Sequence, residues 1–135
     1  MPSNQTPLGA LPARFRRERV LIIGCGDVGL RYARAQSMPT RVRLFALTSS
    51  AERREALRAV GITPLVGDLD APQSLRRLAG LATRVLHLAP PPLEGRADPR
   101  TRALMRALVA RTVPRAFVYA STSGVYGDCQ GQWVD

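Results

Sequence analysis

The stretch Arg19-Val20-Leu21-Ile22-Ile23-Gly24-Cys25-Gly26-Asp27-Val28-Gly29 joins an apolar run over 20–23 to a Gly24-x-Gly26-x-x-Gly29 turn. The sequence that follows, Leu30-Arg31-Tyr32-Ala33-Arg34-Ala35, is helix-compatible. Strand, glycine turn and helix in that order are the setting that gives such a turn its meaning. Gly24 permits the tight reversal, Gly26 admits a pyrophosphate close to the backbone, and Gly29 lets the helix lie against the strand. The helix then presents unpaired N–H groups and its positive dipole end to an anion. Gly24, Cys25, Gly26, Asp27, Val28 and Gly29 are therefore the expected phosphate-binding residues.

Outward from this unit, strand-like and helix-like segments alternate, the pattern of an α/β domain with a parallel sheet. Short β-branched or leucine-rich runs at 42–47, 63–66, 84–88 and 116–120 follow the first strand at 20–23. Ser50 is placed to cap a helix reaching about Val60, with Gly61 just beyond its end. Asp70-Ala71-Pro72-Gln73 has capping-box spacing and predicts a helix through Leu75 and Leu78 that stops at Gly80. Asp98 followed by Pro99 reads as a cap and a first-turn proline, with Leu104, Ala107, Leu108 and Arg111 at helical spacing. The expected fold is a Rossmann-type doubly wound parallel sheet of order 3-2-1-4-5, truncated after strand 5. Residues 1–18 read as a disordered basic tail, and 19–135 as a dinucleotide-binding domain incomplete at its C-terminus.

In such sheets a ligand meets the loops that follow the strands. A carboxylate about 20 positions past the glycines would favour NAD. Thr48, Ser49 and Ser50 stand there instead, with Arg53 and Arg54 close behind, which tilts the expected cofactor toward NADP and leaves NAD open. After strand 3, Asp68 is expected to bond the adenine amino group with Leu69 against the ring, while Asp70 is expected as a helix cap. Strand 4 ends in His87-Leu88-Ala89-Pro90, where small Ala89 would let the backbone pass near the cofactor. Leu88 and Pro90 join it as expected cofactor neighbours, and His87, the only histidine, reads as structural. Strand 5 runs into Ser121-Thr122-Ser123, three hydroxyls suited to binding a carbonyl or hydroxyl oxygen.

The chain has 135 residues, 45% of them hydrophobic, and a net charge of +10. All 20 basic residues are arginine. The arginines are scattered and aromatic residues are few, so specific nucleic-acid binding is disfavoured and the charge speaks for non-specific association. No apolar run is long enough to cross a membrane, and the leading residues lack the apolar core of a secretory signal, so a cytoplasmic protein with no membrane partner is expected. Cys25 and Cys129 fit neither a disulfide framework nor a metal-ligand spacing, and no metal site is expected.

From about Arg19 to its last residue the chain resembles the extended and atypical short-chain dehydrogenase/reductases, the group of nucleotide-sugar epimerases and dehydratases. The resemblance rests on the glycine loop, Gly67-Asp68-Leu69, His87-Leu88-Ala89, and most specifically Ser121-Thr122-Ser123-Gly124-Val125-Tyr126-Gly127-Asp128. It implies Thr122 as the catalytic hydroxyl on the reacting oxygen, with Ser121 and Ser123 supporting it or the substrate and Tyr126 shaping the substrate pocket. Ile23 before a tighter GxGxxG departs from the extended pattern and looks like an atypical branch near nucleoside-diphosphate-sugar epimerase-like proteins. The family's Tyr-x-x-x-Lys acid/base pair is absent, for there is no lysine in the chain. The resemblance implies an NAD(P)-binding portion of an oxidoreductase acting by hydride transfer on a small alcohol or ketone, a nucleotide sugar among the candidates. A non-catalytic dinucleotide sensor and an arginine-rich nucleic-acid binder are the alternatives. An open sheet edge after strand 5 predicts self-association.

Overall fold

A computed structural model describes residues 18–36, 42–95 and 97–120. Five parallel strands, β1 (Glu18–Ile23), β2 (Val42–Thr48), β3 (Ile62–Val66), β4 (Arg84–His87) and β5 (Ala116–Tyr119), form one sheet in the order β3-β2-β1-β4-β5. This is the expected Rossmann-like topology. β1 is central, and its apolar run is buried without alternation because side chains on both faces are covered. Glu18, assigned by sequence to the leading tail, instead opens β1 opposite Val42.

The sheet separates two cores. On one side Val20, Ile22, Ala46 and Ile62 pack with Ala33 of helix α1 (Asp27–Ala35) and Leu57 of helix α2 (Arg54–Ala59). On the other, Leu21, Ile23, Phe45 and Val85 meet Leu75 and Leu78 of a 3₁₀ segment (Pro72–Leu78) and Leu104 and Leu108 of helix α3 (Pro99–Leu108). Helices from the first two crossovers thus cover one face and those from the next two the other, as right-handed crossovers on either side of β1 require.

Two expected caps are not made. Ser50 gives no side-chain cap, and the segment after it begins as a 3₁₀ turn, Ala51–Arg53, before α2 proper. Asp70 does not cap the next helix either: Ala71 occupies that place, Ser74 Oγ accepts from the Asp68 N–H at 2.8 Å, and the helix is 3₁₀ rather than α. The Asp98 cap is made, its carboxylate accepting from the Thr101 N–H at 3.0 Å. Gly61 and Gly80 sit at positive φ, 82° and 70°, just past the helices they were expected to end.

Candidate functional site

The loops at the carboxyl ends of β1 through β4, joined by the start of α3, enclose an open cleft of ≈ 320 Å³. Its lining gathers Gly24, Cys25, Thr48, Ser49, Arg53, Asp68, Leu69 and Ala89, all singled out from sequence, together with Asp70 and Arg100. Gly26, the N-cap of α1, and Asp27, Val28 and Gly29 of its first turn are not in the lining, and neither are Leu88 and Pro90. Leu88 packs instead against the core beneath α1, and Pro90 is exposed. Ser121, Thr122, Ser123 and Tyr126 lie outside the described residues, as does Cys129.

The three glycines do different work. Gly24 has φ +76°, and a Cβ there would meet the Ala89 backbone, so the β1 and β4 loops cross at van der Waals distance. A Cβ on Gly29 would come within 3.0 Å of Cys25 Sγ and 3.2 Å of Ile22 Cγ2, which seats α1 on β1. Around Gly26, among the described residues, nothing lies within 4 Å of an added Cβ. Gly26 is also the N-cap of α1, and no side chain caps that end. The first N–H groups of α1 therefore face outward beside a glycine with open space over it.

At the end of β2 the hydroxyl of Thr48 is used internally: its Oγ1 accepts from the Ser50 N–H and donates to the Ser50 carbonyl, both at 3.2 Å. Thr48 thus shapes the turn, and the exposed groups are Ser49 and Arg53. Arg53 is no solvated bystander, for its Nη2 donates to the Cys25 carbonyl at 2.8 Å and ties the β2 loop to the glycine turn. Burial pushes the Cys25 thiol up, against the opposing pull of Arg53, so it remains a neutral thiol. Asp68 Oδ1 accepts from the Asp70 N–H at 2.8 Å, which fixes the β3 loop. Asp70 is held below the usual carboxylate range by Arg100, which donates to it through Nε and Nη2, each at 2.8 Å. Arg100 was missed from sequence. Its partner lies thirty positions away, and no local pattern carries such a pairing.

Beside the cleft, buried His87 anchors α3 to the sheet. Thr101 Oγ1 donates to Asp98 Oδ2 at 2.6 Å, so the 2.9 Å contact between the same Oγ1 and His87 Nε2 has the imidazole donating. This fixes the Nε2–H tautomer and leaves Nδ1 bare and buried without a partner among the described residues. Burial lowers the His87 pKa, with the Asp98 charge opposing. The structural reading of this histidine holds: it is hydrogen-bonded, edge-on to Phe117 and Tyr119, and outside the cleft lining. Among the described residues no cluster of His, Cys, Asp or Glu could hold a metal ion, and no helix is long and apolar enough to cross a membrane.

No protein-family model matches the chain, and no curated protein matches it. Solved structures do. A functionally unknown conserved protein from Silicibacter pomeroyi DSS is 29% identical with a TM-score of 0.61, over 87% of this chain and 40% of that one. The Citrobacter sp. triphenylmethane reductase complexed with NADP(H) is 19% identical with a TM-score of 0.54, over 66% of this chain and 32% of its own. The NADPH-dependent quinone oxidoreductase QOR2 from Escherichia coli, complexed with NADPH, is 24% identical with a TM-score of 0.52, over 65% and 31%. The last two likenesses establish the fold. The chain spans 31–40% of the length of these three proteins.

Proposed function

We propose that this chain is the NADP-binding part of an oxidoreductase of the reductase/epimerase kind. The observation that carries the reading is the uncapped first turn of α1 beside Gly26, at the carboxyl end of the central strand, where helix N–H groups and open space suit a pyrophosphate. Two of the similar solved structures were determined with NADP(H) or NADPH bound, which supports the same cofactor here. When bound, a nicotinamide supplies hydride transfer to or from a carbonyl or alcohol carbon.

The chain's own residues divide the work. Gly24, Gly26 and Gly29, with Cys25, Asp27 and Val28, form the phosphate turn. Ser49 and Arg53 take the 2′-phosphate, a role supported by the β2-loop part of the lining, which offers a hydroxyl and a guanidinium and no carboxylate. Asp68 and Leu69 border the adenine end, and Ala89 gives the passage beside the glycine turn. The resemblance assigns the reacting oxygen to Thr122, assisted by Ser121 and Ser123, with Tyr126 at the substrate and a nucleotide sugar as one candidate. A tyrosine with an ordinary pKa near 10 is a poor base at neutral pH. With no lysine among its 135 residues to lower such a pKa, this chain on its own binds the cofactor and turns over negligibly. A cytoplasmic setting accords with this cofactor.

The test is a titration of the 135-residue chain with NADPH and with NADH by nicotinamide fluorescence. NADPH should bind more tightly, and Arg53→Gln should weaken NADPH about tenfold or more while leaving NADH nearly unchanged, the loss expected for one charge-assisted hydrogen bond. Absence of binding to either nucleotide overturns the proposal; equal losses for both overturn the role given to Arg53.

A further inference from the structure

The cleft has a second arginine that the glycine-turn reading does not use. Arg100 belongs to the first turn of α3, which enters from the β4 side of the central strand, whereas Arg53 enters from the β2 side. Its guanidinium is gripped edge-on by Asp70, Nε to Oδ1 and Nη2 to Oδ2, both at 2.8 Å. Two of five N–H donors are thereby used, and none of the other three has an acceptor among the described residues. An ion pair as open as this one, its side chains 31% and 57% exposed, adds little to stability. What a fork-to-fork pair does give is a fixed plane and direction for the guanidinium.

Charge points the same way. The ionisable side chains lining the cleft, other than the neutral thiol of Cys25, are Asp68, Asp70, Arg53 and Arg100, which sum to zero. Without Arg100 the wall would carry a net negative charge and repel any phosphate-bearing ligand. Arg53 gives one donor to the Cys25 carbonyl and Arg100 gives two to Asp70, so among the described residues both cations of the lining keep donors for a ligand, and it is the one on the β4 side whose plane is fixed by a carboxylate.

Building on the dinucleotide reading of this cleft, we propose that Arg100 is a ligand-binding residue that donates to the ADP portion shared by NADPH and NADH, with Asp70 as its positioning residue. Arg53 then sets the preference between the two cofactors, and Arg100 sets the affinity for both. The division of labour follows from two cations on opposite sides of the central strand, one partly bonded to the glycine turn and one held by a carboxylate.

Arg100→Gln and Asp70→Asn separate this role from that of a mere clasp across the cleft. Binding of NADPH, NADH and ADP is measured by calorimetry, with thermal melting of each ligand-free variant alongside. Arg100→Gln should weaken all three ligands by a similar factor of about ten or more. Asp70→Asn keeps the cation but leaves one acceptor oxygen to orient it in place of two, so it should weaken all three ligands by about threefold, clearly less than Arg100→Gln. Both variants should melt close to the parent, as an exposed pair predicts. Equal losses in the two variants would make the pair a clasp and overturn the proposal, as would an Arg100→Gln variant that binds like the parent. A loss confined to NADPH would move Arg100 to the 2′-phosphate and overturn it also. If the parent chain binds none of the three, the dinucleotide reading itself falls and this proposal falls with it.

Discussion

Gly24 and Ala89 are in backbone contact: a Cβ added to Gly24 would stand 2.5 Å from the Ala89 nitrogen and 2.7 Å from its Cα. The two residues belong to loops sixty-five positions apart, brought together because β1 and β4 are neighbours with Ile23 opposite His87. Gly26, two residues on, has no neighbour among the described residues within 4 Å of an added Cβ. One glycine is thus required by the fold and the other is free for a ligand.

Gly24→Ala and Gly26→Ala should therefore fail in different assays. Gly24→Ala forces a side chain into the left-handed region, at a cost of about 1–2 kcal/mol before the clash with Ala89 is counted. Its melting midpoint should fall by at least about 4–8 °C. Gly26→Ala should melt like the parent and lose NADPH affinity about tenfold or more, because the methyl occupies the approach to the α1 N-terminus. A Gly26→Ala variant with parental NADPH affinity would sink the phosphate-turn assignment.

His87 makes stability depend on pH in a defined direction. Burial lowers its pKa in the folded protein below the ordinary 6.5, so the unfolded chain binds the proton more readily. The stability it contributes is fully present above the unfolded pKa and is lost as pH falls from there through the folded pKa. One proton bounds the slope at about 1.4 kcal/mol per pH unit. Asp98, held low by the Thr101 hydroxyl and N–H despite its burial, titrates further down and adds no slope in this window. His87→Gln, which keeps a donor toward Thr101, should flatten the melting-temperature profile between pH 7.5 and 5. A variant profile as steep as the parent's would remove His87 as the source.

The edge strands differ in how they resist pairing. β3 carries Pro64, which cannot donate to a further ladder. Among the described residues β5 has no such block, and Val118 and Tyr119 on it are 55% and 41% exposed. We expect concentration-dependent self-association through β5, seen by sedimentation velocity and weakened by Val118→Lys. A parent chain that sediments as a monomer at every concentration, or a Val118→Lys variant that associates as the parent does, would count against this edge.

What could be read from sequence was what is encoded locally or by alternation. The glycine turn and the Asp98 cap each depend on residues a few positions apart, so their physics is visible in a short window, and the strand order follows from the alternation of strands and helices around that turn. Asp70 shows the limit. Its spacing to Gln73 is that of a capping box, yet its carboxylate turns to Arg100, since a bidentate guanidinium outcompetes a single backbone N–H. Thr48 sits at the predicted place but spends its hydroxyl on Ser50, a choice set by the turn it occupies. Leu88 and Pro90 were grouped with Ala89 by adjacency, whereas in the loop past the end of β4 Leu88 packs on the core, Pro90 is exposed and only Ala89 reaches the cleft.

The placing of β1 between β2 and β4 also sets a timetable. On a growing chain the glycine turn emerges early and can pair with β2 almost at once, but Ala89, which closes it, is made only after β4, and Arg100 later still. During that interval the central strand has one open side and the nucleotide site does not exist. Dinucleotide binding can then reward only molecules that have completed both pairings, drawing late folders forward by mass action. On the proposed reading, the nucleotide is thus a checkpoint on folding during synthesis as well as a ligand.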